Sequence, residues 1–249
     1  MRVALVTGAG TGIGAAAARL LAANGCGVAL VGRREEALRR VASGLEHSEV
    51  IVADLEERDA PRRTVERTLA AFGRLDVLVN NAAVIQNGPF ADFTLDEFDR
   101  HVAVNLRAPF FLTQAALPAL RQAEAAAVVN VSSSVGSIVK PGTTLYSVTK
   151  AGLEYLTRAN AYELAQWRIR VNCIAPGPVD TPIHATYLDD LDAGYRDLSR
   201  RIPLGRMGHV DDIARWVWWL SAPDTEWTTG NVVHVDGGQV LGIPEAVGG

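Results

Sequence analysis

Lysine is nearly missing from this chain. Of its 24 basic residues only Lys140 and Lys150 are lysine, and the rest are arginine. The arginines are scattered and the net charge is −4, so no basic footprint forms and nucleic acid is excluded as an expected partner. Cysteine is as sparse. Cys26 and Cys173 each sit in an apolar setting, which excludes a disulfide framework and reads as two buried thiols in a reducing cytoplasm. The longest apolar runs, such as AVVNV and VALV, are strand-sized, so no membrane span is expected. Only Met1 and Arg2 precede the first apolar run, which leaves no room for a secretory leader; the expected location is cytoplasmic. The histidines at 47, 101, 184, 209 and 234 lack metal spacing and the carboxylates form no ligand cluster, so no catalytic metal is expected. Internal repeats, low-complexity tracts and Pro/Gly/Ser linkers are also absent. The 249 residues, 48% hydrophobic and 21% charged, therefore read as one globular domain, 1–249.

What is present is alternation. Strand-like segments fall at 3–8, 27–32, 49–54, 75–81, 126–132, 169–177 and 231–238. Helix-like segments fall between them, at 12–24, 34–45, 58–72, 94–106, 109–123, 146–166 and 209–221. Strands apolar on both faces and separated by helical crossovers predict an α/β fold: a doubly wound, parallel, seven-stranded sheet covered on both sides. The polar stretch 182–205 is not sheet-like and reads as a mobile substrate loop.

VALVTGAGTGIG runs from the first strand straight into an alanine-rich helix. Glycines at that junction let the chain turn sharply and let a phosphate approach the backbone, while the helix N-terminus offers unpaired N–H groups to a pyrophosphate. Gly8, Gly12 and Gly14 are the candidates, with Thr11 as a donor to phosphate or ribose. At the end of the second strand an acid would hold a ribose 2′-hydroxyl. This chain instead has Gly32 followed by Arg33 and Arg34, which suits a 2′-phosphate and favours NADP(H) over NAD(H). The alternative is that both arginines cap a solvated helix start.

YSVTK places Tyr146 and Lys150 four residues apart, on one helical face. An ammonium beside a phenol favours the phenolate, which suits proton transfer to or from a substrate oxygen. Alone, such a pair is as readily an aromatic beside a surface charge. Its weight comes from the rarity of lysine here, from SSS (132–134) at the end of the preceding strand, and from the glycine turn.

TGAGTGIG, NNAA (80–83), SSS, YSVTK and PGPVDT (176–181) occur in the order found in short-chain dehydrogenases/reductases, and nearly the whole chain resembles their compact single-domain branch. The resemblance implies further contacts. Ile13 would join the glycine turn. Asp54 and Leu55 would meet the adenine, Asn81 and Ala82 the adenosine ribose, and Val179 and Thr181, after the Pro176–Gly177 bend, the nicotinamide carboxamide. From the residues alone, Asp54 could also be a helix N-cap. Among the three serines the family's spacing selects Ser133 as the group that steadies the substrate oxygen, with Ser134 a possible pocket residue. Asn105 would hold a water linking Lys150 to solvent.

The implied activity is interconversion of a secondary alcohol and a ketone by hydride transfer, with Tyr146 as general acid–base. A 3-oxoacyl-[acyl-carrier-protein] reductase is the alternative within the family, although NNAAVIQNGPF departs from the NNAG-ITRD usual there, with Ala83 for glycine. A cofactor-binding sensor without chemistry is the alternative from another class. Trp216 and Trp219 share a helical face that reads as core or as a subunit interface. The family is commonly tetrameric, so a homotetramer or dimer is expected.

Overall fold

The computed structural model describes residues 1–182 and 190–242. Its centre is one parallel sheet of β1 (Val3–Thr7), β2 (Gly27–Gly32), β3 (Ser48–Val52), β4 (Val77–Asn80), β5 (Ala127–Val131), β6 (Arg170–Pro176) and β7 (Val232–Val235). The spatial order is β3-β2-β1-β4-β5-β6-β7, with every pairing parallel. The doubly wound architecture expected from the sequence is what forms. Strands β1, β4, β5 and β6 are buried at every position, which is why they read as unbroken apolar runs.

The α-helices among the described residues are α1 (Gly12–Ala23), α2 (Glu35–Ala42), α3 (Ala60–Phe72), α4 (Leu95–Val102), α5 (Ala108–Leu120), α6 (Thr144–Leu164), α7 (Leu191–Arg200) and α8 (Val210–Ser221). One core joins Ala17 and Leu21 of α1 and Ile213 and Val217 of α8 to the sheet residues Val6, Val28, Val79 and Val129. The other joins Val65 of α3, Leu112 of α5 and Leu164 of α6 to Leu5, Val31, Leu78 and Val128. Neighbouring residues of a strand point to opposite faces, so consecutive positions such as Leu5 and Val6 enter different cores.

Two local features differ from the sequence expectation. The run 94–106 does not end before α5. It passes through a π-helical turn, Ala103–Arg107, into α5 with no break. Within 182–205, read as a loop, residues 191–200 form α7, whose start is capped by the Asp190 carboxylate accepting from Ala193 N–H at 2.9 Å. Residues 183–189 of that segment lie outside the described residues.

The strand order reverses between β1 and β4, and a crevice opens there at their carboxyl ends. Thr7 builds it. Its Oγ1 accepts from Asn81 N–H at 2.9 Å and Ala82 N–H at 3.0 Å, and donates to Val79 O at 3.2 Å. One buried hydroxyl thus fixes where the chain leaves β4. Thr7→Val keeps the side chain's shape but strands two half-buried N–H groups. It is expected to lower the unfolding free energy in urea by about 2 kcal/mol.

Candidate active site

A cleft of about 730 Å³ runs along the carboxyl ends of the strands. Its floor is the glycine turn. Gly8 (φ 66°) and Gly12 (φ 55°) occupy the left-handed region that favours glycine. No side chain caps α1, so its leading N–H groups are left for a ligand. A Cβ at Gly12 would press Thr181 Cγ2 at 3.3 Å, so the turn and the loop after β6 close tightly on each other. Gly8, Thr11, Gly12 and Ile13 line the cleft. Gly14 lies just behind the lining residues. A Cβ there would lie 2.3 Å from Gly8 O and 2.5 Å from Asn81 Nδ2, so this glycine lets α1 pack against the turn.

At the far end, Arg33 and Arg34 line the wall beyond Gly32. The nearest acids in sequence are engaged along α2: Glu35 with Arg39 at 2.6 Å and Glu36 with Arg40 at 3.3 Å. Asp54, Leu55, Asn81 and Ala82 line the adjoining wall. Asp54 Oδ1 accepts from Glu56 N–H at 3.0 Å, so its side chain caps a local turn; α3 starts only at Ala60. Asn81 Nδ2 donates to Thr7 O at 2.8 Å, which turns the side chain inward and fixes its backbone at the cleft. Pro176, Gly177, Val179 and Thr181 form the opposite wall. Gly177 has no room for a side chain, because a Cβ would fall 2.8 Å from Asp236 Cα. An uncapped helix start, glycines at closest approach and arginines with no ion pair among the described residues together fit the phosphates of a dinucleotide.

The reacting groups converge at the end of β5. Lys150 is 2% exposed. Its Nζ donates to Val131 O at 2.7 Å and lies 5.5 Å from the centroid of the Tyr146 ring. Burial pulls its pKa down to about 8, with Cys173 and Glu154 acting in the opposite direction. Ser133, Tyr146 and Lys150 all line the cleft. The three serines separate by partner. Ser132 Oγ donates to Glu154 Oε1 at 2.9 Å and Ser134 Oγ to Gln239 Oε1 at 2.7 Å. Among the described residues, Ser133 Oγ accepts only a long contact of 3.5 Å from Val135 N–H.

Asn105 occupies the π turn and is fully buried, outside the cleft lining. Its amide accepts from Val84 N–H at 2.9 Å and donates to Val84 O at 3.0 Å and to Thr149 Oγ1 at 3.1 Å. Thr149 in turn donates to Tyr146 O at 2.8 Å. Asn105 therefore ties the loop after β4 to the helix carrying Tyr146 and Lys150, and the π turn is the local distortion that lets it do so.

A family model described as Enoyl-(Acyl carrier protein) reductase matches residues 8–239. The chain is a short-chain dehydrogenase/reductase. It is 35% identical to 3-oxoacyl-[acyl-carrier-protein] reductase FabG of Thermotoga maritima, over 96% of this chain and 98% of that one. Among solved structures, 3-ketoacyl-(acyl-carrier-protein) reductase from Brucella melitensis, complexed with NADH, superposes with a TM-score of 0.91 at 31% identity, over 96% of this chain and 98% of the other. A blue fluorescent protein from a metagenomic library, in complex with NADPH, gives 0.87 at 33% identity, over 96% and 97%. As a short-chain dehydrogenase/reductase, the chain is an oxidoreductase acting on CH–OH groups with NAD(P).

Several cleft-lining residues escaped the sequence reading, among them Arg100, Lys140, Thr143, Leu198 and Gln239. Lys140 had a signal, since both lysines of this short-chain dehydrogenase/reductase prove to face one cleft. Burial of its flank lowers its pKa, as does Arg201, with Asp197 opposing. Thr143, Leu198 and Gln239 carried no local mark.

Two outcomes follow from the site. Gly14→Ala is expected to weaken NADPH binding more than tenfold in a fluorescence titration and to lower the melting temperature. Lys150 titrates near 8 in the fold against an ordinary value near 10.4, so the unfolded chain binds the extra proton between those limits. Its burial therefore costs stability below about pH 8, and that cost fades as pH rises toward 10.5. Lys150→Met is expected to raise apoprotein stability at pH 7 by roughly 2 kcal/mol in urea while abolishing turnover.

Proposed function

We propose that this chain reduces a ketone to a secondary alcohol, or runs the reverse reaction, with Tyr146 as general acid–base and NADP(H) as the preferred cofactor. The observation that carries this reading is the fully buried Lys150 ammonium held within 5.5 Å of the Tyr146 ring in a cleft floored by an uncapped glycine turn. With a pKa of about 8 the amine is largely protonated near neutral pH. A cation there stabilises the oxyanion left as the phenolic proton departs.

The bound dihydronicotinamide supplies the hydride. The protein's own work is to orient and to move one proton. Gly8, Gly12 and the α1 N-terminus hold the pyrophosphate, Asp54, Leu55, Asn81 and Ala82 hold the adenosine, and Val179 and Thr181 hold the carboxamide. Ser133, whose hydroxyl is the least committed of the three serines, donates to the substrate oxygen. Tyr146 gives its proton to that oxygen in the reductive direction and takes it back in the oxidative one. Lys150 holds the nicotinamide ribose and keeps positive charge under Tyr146. Asn105 secures the Lys150 helix and supports a water that returns protons to the pair.

The NADP(H) preference is supported by Arg33 and Arg34 on the cleft wall and by the lack of an acid at the end of β2. A 3-oxoacyl thioester is the second reading of the substrate, favoured by the name of the Thermotoga maritima relative. A homo-oligomer is supported by exposed aromatic side chains. Phe110 and Phe111 on α5 and Tyr155 and Tyr162 on α6 are exposed, and Trp219 on α8 is 46% exposed while stacking edge-on against Trp216 at 5.4 Å. Trp216 and Trp218 pack against the core. No helix among the described residues is long and apolar enough to cross a membrane, and a cytoplasmic location fits this reading.

A panel of ketones, secondary alcohols and 3-oxoacyl thioesters, assayed with NADPH and NADH separately, tests the activity. Tyr146→Phe is expected to lower kcat by at least about 10³-fold while NADPH still binds; retained turnover would sink the assignment. Arg33→Asp is expected to reverse the cofactor preference, raising KM for NADPH more than tenfold and leaving NADH use little changed. Sedimentation analysis is expected to show a dimer or tetramer.

A further inference from the structure

Glu154 is a buried ionisable group that the mechanism leaves unused. It lies one helical turn beyond Lys150 on α6 and is 6% exposed. Its carboxylate is surrounded by the segment that carries the active-site serine. Oε1 accepts from Ser132 Oγ at 2.9 Å and Oε2 from Ser137 Oγ at 3.3 Å. Ser132 Oγ also lies 3.2 Å from the Lys150 carbonyl oxygen, and Ser137 Oγ lies 3.0 Å from His234 Nε2 on β7. The backbone folds directly onto the acid, since a Cβ at Gly136 would fall 2.5 Å from Oε1. Residues 132–137, with Ser133 among them, are thus wrapped around one side chain of the helix that bears Tyr146 and Lys150.

We propose that Glu154 is a positioning residue for the reaction: its carboxylate fixes the 132–137 segment to α6, which sets Ser133 against Tyr146, and it places a negative charge beside the Lys150 ammonium. This rests on the roles assigned above to Ser133, Tyr146 and Lys150. Packing alone does not call for an acid here. A carboxylate is costly to bury without compensation, and an amide or apolar side chain would fill the same space.

The titratable groups that face Glu154 are Lys150 on its own helix, Cys173 on β6 and, through Ser137, His234 on β7. The Cys173 thiol is pushed up to about 12, first by burial and then by Glu154, so it stays neutral across the working pH range. Lys150 is the group whose charge answers to Glu154. Glu154 opposes the effect of burial on that amine, so removing its charge lets the amine lose its proton at lower pH.

The test compares Glu154→Gln, which keeps the shape and removes the charge, with Glu154→Ala, which removes both. The pH dependence of kcat and KM is measured between pH 6 and 10 with the best ketone of the panel and NADPH. NADPH affinity is measured by fluorescence over the same range, which needs no substrate and stays readable even if the panel yields no turnover. Glu154→Gln is expected to move the alkaline limb of kcat, and of NADPH affinity, to lower pH. Glu154→Ala is expected to lower kcat a further tenfold or so at pH 6.5, with a smaller change in KM, as Ser133 loses its support. Circular dichroism checks that each variant folds. Glu154→Gln profiles that superimpose on those of the parent protein overturn the proposal, whether or not the alanine variant folds.

Discussion

A single ammonium group buried at the end of β5 sets the terms for the rest of the site. Water stabilises a lysine charge strongly, so the fold has to replace that solvation with fixed partners. It does so with the Val131 carbonyl, the face of the Tyr146 ring and the neighbouring carboxylate of Glu154. Each lies on an element that must therefore be held in place. β5 carries Val131 and leads into the serines, α6 carries Tyr146 and Glu154, and the Asn105 clamp secures α6 to the loop after β4. The arrangement is unfavourable for the empty protein, and a bound ribose offering acceptors to the amine would relieve it.

The doubly wound sheet supplies the frame for this. Reversal of strand order between β1 and β4 opens the crevice, and Thr7 joins the two strand ends with one hydroxyl. Cofactor and substrate walls then come from sequence positions far apart, from Gly8 to Gln239. Buried asparagines continue the same logic inside the sheet. Asn80 donates to Asn130 at 2.9 Å, and Asn130 donates to Thr157 of α6 at 2.9 Å, so the strands and the helix bearing the reacting pair are cross-tied.

The sheet was legible because its central strands are buried on both faces, leaving an uninterrupted apolar signal. The glycine turn and the Tyr146–Lys150 pair were legible because strand, turn and helix follow one another directly. Asn105 could be picked out as an irregularity, but not its form, since the π turn depends on a partner 21 residues away in sequence. Helix α7 was missed because its face is polar and its glycine, Gly194, is a poor helix former. The packing roles of Thr7, Gly14 and Glu154 were not legible for one shared reason. Their roles come from contacts made across the fold, where residue type alone carries no mark. Ser133 was separable from Ser132 and Ser134 only through family spacing, and their hydrogen-bond partners later divided the three.

The shortage of lysine has a chemical consequence. Lys150 is sealed inside the protein, whereas Lys140 stands at the cleft with a solvent-accessible side chain and an amine whose proton is loosened first by the burial of its flank and then by Arg201. Guanidinium groups do not acylate under mild conditions, so an amine-directed reagent meets little competition beyond the exposed α-amino group of Met1. Lys140 is thus a nearly unique covalent handle at the mouth of the cleft. A fluorophore or an affinity tether placed there would report on the cleft's filling without touching Tyr146 or its partners.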